Sequence, residues 1–296
     1  MILLTGASGF IGKHLLRNLV GTIKEEKVVA LTSEPLNDCE YLPHNNYSFN
    51  SDYFIDNNLE DITTLVHAGA YTPKSQKNAD DISGSYSNIR STTKLLMSRL
   101  PSLRKIIFLS AVDVYGEGDV ITEATNTYPV SLYGSSKLYC EKMISTHAEN
   151  ENLVCQILRI GHVYGPGEDA YQKVIPIMLQ RVIEGGSLQL HGDGQEIRSF
   201  IFISDVVDAI VKSISLNESV GPVNIVSTEQ IKIIDLMKLI SGLSDKDIAI
   251  EKVKRETRQR NLVYDNTKML RYTTAPQVNL KEGLKQELDY FSKLLK

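Results

Sequence analysis

Short apolar runs alternate with amphipathic segments along the first half of the chain. Residues 1–5 (MILLT) and 27–32 (KVVALT) are nearly continuous apolar runs, as in strands that are buried on both faces. Between them, residues 10–21 repeat leucine and isoleucine at the spacing of one helix face. Further strands are predicted at 63–69, 105–110 and 154–160, and further helices at 88–100 and 133–148. Strands that alternate with helices predict a parallel sheet that is covered on both faces.

After residue 166 the predicted helices become longer and the strands shorter. Helices are predicted at 174–186, 205–214, 233–243 and 280–295, and strands at 188–192, 199–203, 223–227 and 248–253. The last third of the chain therefore indicates a smaller mixed lobe, so that two lobes close on one cleft.

Composition narrows the classes of function. The 296 residues are 42% hydrophobic, which is enough for a large core, and they carry a net charge of −4. Without a concentrated basic face, neither a nucleic acid nor an anionic membrane is an expected partner. Cys39, Cys140 and Cys155 lie far apart, so neither a disulfide framework nor a metal site is predicted. The chain begins with an apolar run rather than a charged leader, and we expect a cytoplasmic protein.

The segment TGASGFIG places Gly6, Gly9 and Gly12 between the first strand and the first helix. Glycines at these positions allow a tight turn, the close approach of a phosphate and close packing of the helix on the sheet. The N-terminus of the helix adds N–H donors and the positive end of the helix dipole. This segment therefore predicts a site for the pyrophosphate of a dinucleotide.

The end of the second strand leaves the choice of dinucleotide open. An acidic residue usually stands there to bind the adenosine ribose of NAD, and an arginine nearby accommodates the extra phosphate of NADP. This chain has Thr32 and Ser33, with Glu34 one or two positions late and no arginine. Either NAD or NADP is expected, with a slight preference for NAD.

Tyr133 and Lys137 stand four residues apart in YGSSK, and on a helix both side chains project from one face. The ordinary pKa of a tyrosine, near 10, is too high for an acid or base at neutral pH. A neighbouring ammonium group favours the phenolate and lowers that pKa. The pair is therefore a candidate for proton transfer to or from a sugar hydroxyl.

Seven motifs follow one another over nearly the whole chain: TGASGFIG, LVHAGA, NIRST, VYG, YGSSK, VYGPGE and GDGQEIRSFIFISDVVDAI. With these motifs the chain resembles the extended short-chain dehydrogenases/reductases of the NAD-dependent epimerase/dehydratase family. The resemblance implies an α/β fold, in which a Rossmann doubly wound parallel sheet is joined to a smaller mixed α/β C-terminal lobe for a nucleotide-activated sugar. We expect the Rossmann domain to span 1–166, with 202–228 returning to it, and the substrate lobe to comprise 167–201 and 229–296.

The resemblance also implies roles for single residues. The implied cofactor contacts are Gly6, Gly9, Phe10, Ile11, Gly12, Thr32, Ala68, Gly69, Ala70 and Asn88. Tyr133 is the implied acid and base, and Lys137 would bind the nicotinamide ribose and lower the pKa of the tyrosine. Arg198 and Arg255 match positions that grip the substrate diphosphate, to which a planar guanidinium makes paired hydrogen bonds. The alternative for the basic cluster 252–260 is a solvated strand end.

Ala111 departs from the pattern of the family. Family members carry Ser or Thr four residues before the tyrosine of VYG, and counting back from Tyr115 reaches Ala111. Ser110 stands one residue earlier, on the opposite face of an extended strand, so it cannot substitute without a bulge. One hydrogen bond to the reacting oxygen of the substrate is therefore expected to be missing.

Two further positions bear on the reaction and on the substrate. Sugar-nucleotide 4,6-dehydratases carry adjacent acids before VYG, where this chain has Val112 and Asp113, so dehydration by their mechanism is not expected. Asp113 is either a catalytic acid or a hydrogen-bonded loop residue. His162 replaces an asparagine that often reaches the substrate diphosphate, and it either donates to a phosphate or fills space.

Three functions remain open at this point. The leading hypothesis is an NAD(P)-dependent nucleotide-sugar epimerase that acts through a transient keto sugar, and the resemblance implies a homodimer. The same residues would serve an NAD(P)H-dependent reductase of a keto-sugar nucleotide, or a dehydrogenase. A non-catalytic dinucleotide-binding regulator is favoured by Ala111 alone, and it is opposed by the joint presence of Tyr133, Lys137, Arg198 and Arg255.

Overall fold

The structure is a computed structural model and describes residues 1–22, 26–36, 39–116, 118–254 and 261–295. The strands are β1 (Ile2–Thr5), β2 (Val28–Thr32), β3 (Glu40–Pro43), β4 (Thr64–His67), β5 (Lys105–Ala111), β6 (Val154–Ile160), β7 (His162–Tyr164), β8 (Leu188–His191), β9 (Ile197–Phe202), β10 (Gly221–Ile225), β11 (Gln230–Lys232) and β12 (Ile250–Val253). The helices are α1 (Phe10–Thr22), α2 (Tyr53–Asp56), α3 (Ile82–Leu96), α4 (Leu132–Asn150), α5 (Val174–Glu184), α6 (Ile203–Ile214), α7 (Ile233–Ser241), α8 (Thr267–Tyr272) and α9 (Leu280–Leu294).

Seven of these strands form one parallel sheet, in the order β10-β6-β5-β4-β1-β2-β3. From β1 the chain builds outward through β2 and β3, and it then returns to the other side of β1 with β4. In open sheets of this kind, ligands bind at the carboxyl ends of the strands where the order reverses. Thr5, Leu31 and His67 stand level at that edge. The predicted α/β fold with a doubly wound parallel sheet is confirmed.

Both faces of the large sheet are covered by helices. Ile2 and Leu4 of β1 pack with buried residues of α1 and α6, whereas Leu3 packs with buried residues of α3 and α4. Successive side chains of a strand point to opposite faces, so each position of β1 enters one core layer or the other. This explains the nearly continuous apolar runs in the sequence.

The structure adds a strand to the sequence-based prediction and moves the start of a helix. β3 is not predicted, because Leu42 is the one buried residue in this outermost strand and the others give no apolar run. α3 begins at Ile82 rather than near Asn88, because the Asp81 side chain caps the helix by accepting a hydrogen bond from the Gly84 N–H.

The remaining strands form two small sheets after residue 160. One has the order β11-β9-β7, and the other pairs β12 with β8, both in the second half of the chain as the shorter predicted strands indicated. Among the described residues, no helix has the length and apolar character needed to cross a membrane.

Candidate active site

The glycine loop between β1 and α1 is shaped by contacts that leave no room for side chains. Gly6 has φ +72°, and a Cβ placed on it would lie 2.6 Å from the Gly69 backbone. A Cβ on Gly12 would lie 2.0 Å from the carbonyl oxygen of Gly6. Phe10 and Ile11 follow in the first turn of α1. A concave backbone at a helix N-terminus fits the pyrophosphate of a dinucleotide.

The segment after β4 packs directly on this loop. The Gly69 N–H donates to Thr5 Oγ1 at 2.9 Å, and the same hydroxyl lies 2.8 Å from His67 Nδ1. His67 Nε2 lies 3.0 Å from Thr92 Oγ1 of α3. Burial, with a smaller effect of Lys137, lowers the pKa of His67 to about 3, so its ring is neutral at physiological pH. The histidine thus fixes the segment of Ala68, Gly69 and Ala70 beside the glycine loop without adding charge.

A pocket opens beside these two segments at the end of β2, and we call it the strand-end pocket. Its described lining residues are Gly6, Ser8, Thr32, Ser33, His44, Asn46, Tyr47, Gly69, Ala70, Tyr71, Ser87, Arg90 and Ser91. Thr32 lies at this pocket, and its predicted contact with a cofactor stays a prediction. His44, Tyr47 and Arg90 were not predicted, because they come from an irregular loop and from the middle of a helix.

Asn88 is almost completely buried and ties three parts of the site together. Its Oδ1 accepts from the Tyr71 N–H at 2.7 Å, and its Nδ2 lies 3.2 Å from the Tyr71 carbonyl oxygen. The same Nδ2 lies 3.2 Å from Ser136 Oγ on α4. Asn88 therefore holds the segment after β4 against α3 and α4, behind the face that carries the strand-end pocket.

Tyr133 and Lys137 lie in the first two turns of α4, and both side chains are buried. The helix starts where Ser131 Oγ accepts the Gly134 N–H at 3.1 Å. Lys137 Nζ donates to the Leu109 carbonyl oxygen at 2.6 Å. Both residues lie on α4 with the spacing of one helix face, as the sequence predicted, and the structure adds that they lie near the carboxyl end of β5.

Burial dominates the titration of this pair. It raises the pKa of Tyr133 well above 10, with a further increase from the Asp113 carboxylate, while a hydrogen bond from Thr72 lowers it. Burial lowers the pKa of Lys137 to about 8. The lowering of the tyrosine pKa by Lys137 stays a prediction. Asp113 lies on an exposed turn, close enough for its charge to act on Tyr133, and Thr72 was not predicted from the sequence.

Ser110 and Ala111 face opposite sides of β5, as the sequence predicted. Ser110 Oγ donates to Glu141 Oε1 at 2.5 Å. The same carboxylate binds the Arg159 guanidinium twice, at 3.0 Å and 2.7 Å. Ala111 is 6% exposed and ends the strand on the other face. The serine hydroxyl is therefore engaged in a buried ion-pair network, on the face of β5 opposite to Ala111.

The tyrosine of the VYG motif belongs to the same buried network. Arg159 lies over the Tyr115 ring at 4.7 Å, and the Tyr115 hydroxyl donates to Asn224 Oδ1 at 2.7 Å. With 1% of its surface exposed, Tyr115 joins β5, β6 and β10 rather than facing the cleft. Its part in the motif is structural.

Two of the residues predicted to bind the substrate diphosphate, His162 and Arg198, lie on the three-stranded sheet. His162 starts β7, and its backbone is level with Phe200 of β9. Arg198 stands two residues before Phe200, so strand alternation places it on the same face of the sheet as Phe200. Its Nη1 donates to the Ile197 carbonyl oxygen at 2.8 Å. Arg255 lies outside the described residues.

A buried pair of carboxyl groups supports the loop that follows β7. Glu168 and Glu287 are both 0% exposed and lie close enough to act on each other, while both carboxyl oxygens of Glu287 lack a hydrogen-bond partner among the described residues. A proton on one of the two groups would let them share a hydrogen bond. Lys173 Nζ lies 3.2 Å from Glu168 Oε2. Burial, with the neighbouring Glu168, raises the pKa of Glu287 strongly, and burial raises that of Glu168 less. The neutral partner at physiological pH is therefore Glu287, which joins α9 to the loop.

A family model described as the NAD dependent epimerase/dehydratase family matches residues 2–226. The chain belongs to this family. Membership confirms the family that the sequence motifs indicated and the class of enzyme that goes with it. The match covers the large sheet and its helices through β10.

Solved structures of this type align over nearly the full chain. A UDP-glucose 4-epimerase from Thermotoga maritima, solved with UDP-glucose, is 25% identical, with a TM-score of 0.85 over 100% of this chain and 99% of that one. A UDP-glucuronic acid 4-epimerase from Bacillus cereus, solved with UDP-glucuronic acid and NAD, is 25% identical, with a TM-score of 0.86 over 99% of both chains.

Curated relatives include epimerases and dehydratases. An uncharacterized UDP-glucose epimerase of Bacillus subtilis (strain 168), YtcB, is 28% identical over 99% of this chain and 98% of its own length. A trifunctional UDP-glucose 4,6-dehydratase, 3,5-epimerase and reductase of Arabidopsis thaliana, RHM3, is 28% identical over 98% of this chain. The chain spans 47% of the length of RHM3.

Proposed function

We propose that this family member is an NAD(P)-dependent nucleotide-sugar epimerase. The observation that carries the proposal is the buried pair Tyr133 and Lys137 near the carboxyl end of β5, in the same parallel sheet whose β1 leads into a glycine loop that fits a dinucleotide. The epimerases that align with the full chain bind UDP-sugars and, in one case, NAD. This supports a UDP-sugar as the substrate and NAD as a cofactor.

Each residue of the site has its own role in the proposed reaction. NAD(P), when bound, supplies the acceptor and donor of hydride. Tyr133 Oη takes the proton from the reacting sugar hydroxyl and returns it. Lys137 binds the nicotinamide ribose and favours the phenolate of Tyr133 by its charge. Arg198, Arg255 and His162 bind the substrate diphosphate, with Ala111 lining the site beside the sugar.

The alternatives need the same residues but differ in how the cofactor is used. A reductase of a keto-sugar nucleotide, or a dehydrogenase, consumes its cofactor, whereas an epimerase does not. Dehydration by the mechanism of the 4,6-dehydratases is opposed by Val112 and Ala111, which stand where that mechanism needs an acid and a hydroxyl. A non-catalytic regulator is opposed by the buried acid–base pair, which a pure dinucleotide sensor does not need.

The test is conversion of UDP-, GDP- and dTDP-sugars, followed by NMR, without and with added NAD(P)H. We expect conversion of one epimer into another without net consumption of cofactor, whereas strict dependence on NAD(P)H identifies a reductase. Tyr133→Phe is expected to lower kcat by roughly 10²- to 10⁴-fold, the usual contribution of general acid–base catalysis. The control is Tyr139→Phe, an exposed tyrosine on the same helix. Full turnover by the Tyr133→Phe variant would exclude the proposed role.

Three broader statements belong to the same proposal. The two-lobe division at residue 166, with 202–228 returning to the first lobe, is supported by β10, which pairs with β6 in the large sheet. A homodimer formed through α3 and α4 is supported by Ile82 and Tyr86, which are 76% and 62% exposed. Size-exclusion chromatography with light scattering tests the dimer. A cytoplasmic location is part of the same proposal, because it follows from the expected substrate.

A further inference from the structure

The charge of the strand-end pocket is unusual for a site that takes NAD alone. No aspartate, glutamate or lysine is among its described lining residues, and Arg90 gives this lining its formal positive charge. Burial lowers the pKa of the pocket residue His44, so its ring is neutral at pH 7. The described lining therefore attracts an anion and has no carboxylate that would repel one.

The strand end itself offers neutral groups where NAD-specific sites have an acid. The Thr32 hydroxyl accepts the Glu34 N–H at 3.1 Å, and the Thr32 carbonyl oxygen accepts the His44 N–H at 3.0 Å. Thr32 is 1% exposed, and the next residue, Ser33, is exposed and lines the pocket. A hydroxyl at this point donates to a phosphate as readily as it accepts from a ribose.

Arg90 contributes to the pocket from α3, which packs on the sheet behind it. Its side chain is exposed, and Nη2 donates to the Asn46 carbonyl oxygen at 3.4 Å. A guanidinium carries five N–H donors in a planar fork, and this bond uses one of them. A phosphate in the pocket can therefore receive paired, charge-assisted hydrogen bonds from Arg90.

We propose that the strand-end pocket accepts the 2′-phosphate of NADP(H), with Arg90 as the cation that binds it. The chain then uses NADP(H) as well as NAD(H), with dissociation constants of the same order. The inference rests on the proposed function, because both require a dinucleotide in the glycine loop. It adds binding of NADP(H), which does not follow from the similarity to structures that contain NAD.

The test is isothermal titration calorimetry of NAD⁺ and NADP⁺ on protein freed of any co-purified nucleotide. We expect the two dissociation constants to agree within about tenfold. Arg90→Gln should weaken the binding of NADP⁺ about tenfold or more and change the binding of NAD⁺ less than about threefold. Ser33→Asp is expected to act in the same direction, because a carboxylate repels the phosphate. Lys94→Gln, one turn further along α3 and outside the pocket lining, is the control for general loss of positive charge.

Two results would overturn the inference. One is NAD⁺ binding more than about a hundredfold tighter than NADP⁺ to the unaltered protein. The other is an equal loss of affinity for NAD⁺ and NADP⁺ in the Arg90→Gln variant. That result would mean that the arginine contacts a part of the dinucleotide that the two cofactors share. Titrations of the cofactors alone do not depend on turnover. Comparable binding of both cofactors without sugar conversion would refute the proposed function alone, whereas epimerase activity with NAD⁺ and no binding of NADP⁺ would refute this inference alone.

Discussion

Replacement of Glu287 by glutamine tests how the buried carboxyl pair controls stability. Glu287 is completely buried beside Glu168, whose charge is paired with Lys173 at 3.2 Å. The amide of Glu287→Gln has the same shape as the neutral acid, and its N–H can donate to Glu168 as an acid proton can. The substitution therefore keeps the contact and removes the titration.

The sign of the pH effect follows from the raised pKa. Burial, with the neighbouring Glu168, raises the pKa of Glu287 strongly, so the folded chain keeps a proton that the unfolded chain loses above its usual pKa of about 4.5. The contribution is complete at low pH and is lost as the pH rises, by at most about 1.4 kcal/mol of unfolding free energy per pH unit. The variant, which does not titrate at this position, should therefore gain stability on the unaltered protein as the pH rises from 6 to 9.

Urea denaturation at pH 6, 7, 8 and 9, followed by far-UV circular dichroism because the chain has no tryptophan, measures this difference. The control is Asp289→Asn, which alters an exposed carboxylate on the same helix and should leave the difference independent of pH. A gap between Glu287→Gln and the unaltered protein that stays constant from pH 6 to 9 would refute the reasoning. A variant that is less stable than the unaltered protein at every pH would also refute it.

Three further substitutions, two of them with a matched control, probe the loop and the proton-transfer site. Gly12→Ala places a Cβ 2.0 Å from a backbone oxygen and should lower stability by about 1–3 kcal/mol and weaken dinucleotide binding. Gly21→Ala, in the same helix with nothing within 4 Å, should instead stabilise by about 0.5–1 kcal/mol, and thermal unfolding compares the two. Ala111→Ser should raise kcat if a hydroxyl is simply missing, and a fall would show that the methyl group makes room for another contact. Thr72→Val removes the bond that lowers the pKa of Tyr133, so the pH profile of kcat/KM should move to higher pH, while Thr72→Ser keeps it.

Sequence reasoning predicted those parts of the site that are formed by residues close to one another in the sequence. The glycine loop is a strand, a turn and a helix in direct succession, and the spacing of Tyr133 and Lys137 becomes one helix face by geometry alone. The strands of the large sheet were predicted for the same reason, since double burial makes them continuous apolar runs. The outer strand β3, with Leu42 as its buried residue, carries no such signal.

The parts that were missed depend on partners that only the fold brings together. Arg90 sits in the NIRST motif, but nothing in its sequence neighbourhood shows that it lines the pocket at the end of β2. Glu168 and Glu287 appear in the sequence as ordinary charged residues, one in a loop and one on an amphipathic helix. Their burial against each other, and the proton that this requires, follow only from the packing of α9 on the loop after β7.

Ala111 lacks a hydroxyl, and the sequence and the structure together explain why the neighbouring Ser110 does not replace it. Strand alternation correctly turns Ser110 to the other face, and the structure adds the reason it stays there: Glu141 holds it at 2.5 Å within a buried ion pair. A rotation of Ser110 toward the cleft would leave that carboxylate short of a donor in a buried site, which costs about 1–3 kcal/mol. Thr72, in the segment after β4, acts on Tyr133 and lowers its pKa. Because β4 lies next to β5 in the sheet, a hydroxyl from the segment after β4 comes near the candidate acid–base residue, a relation that strand order creates and that sequence spacing does not contain.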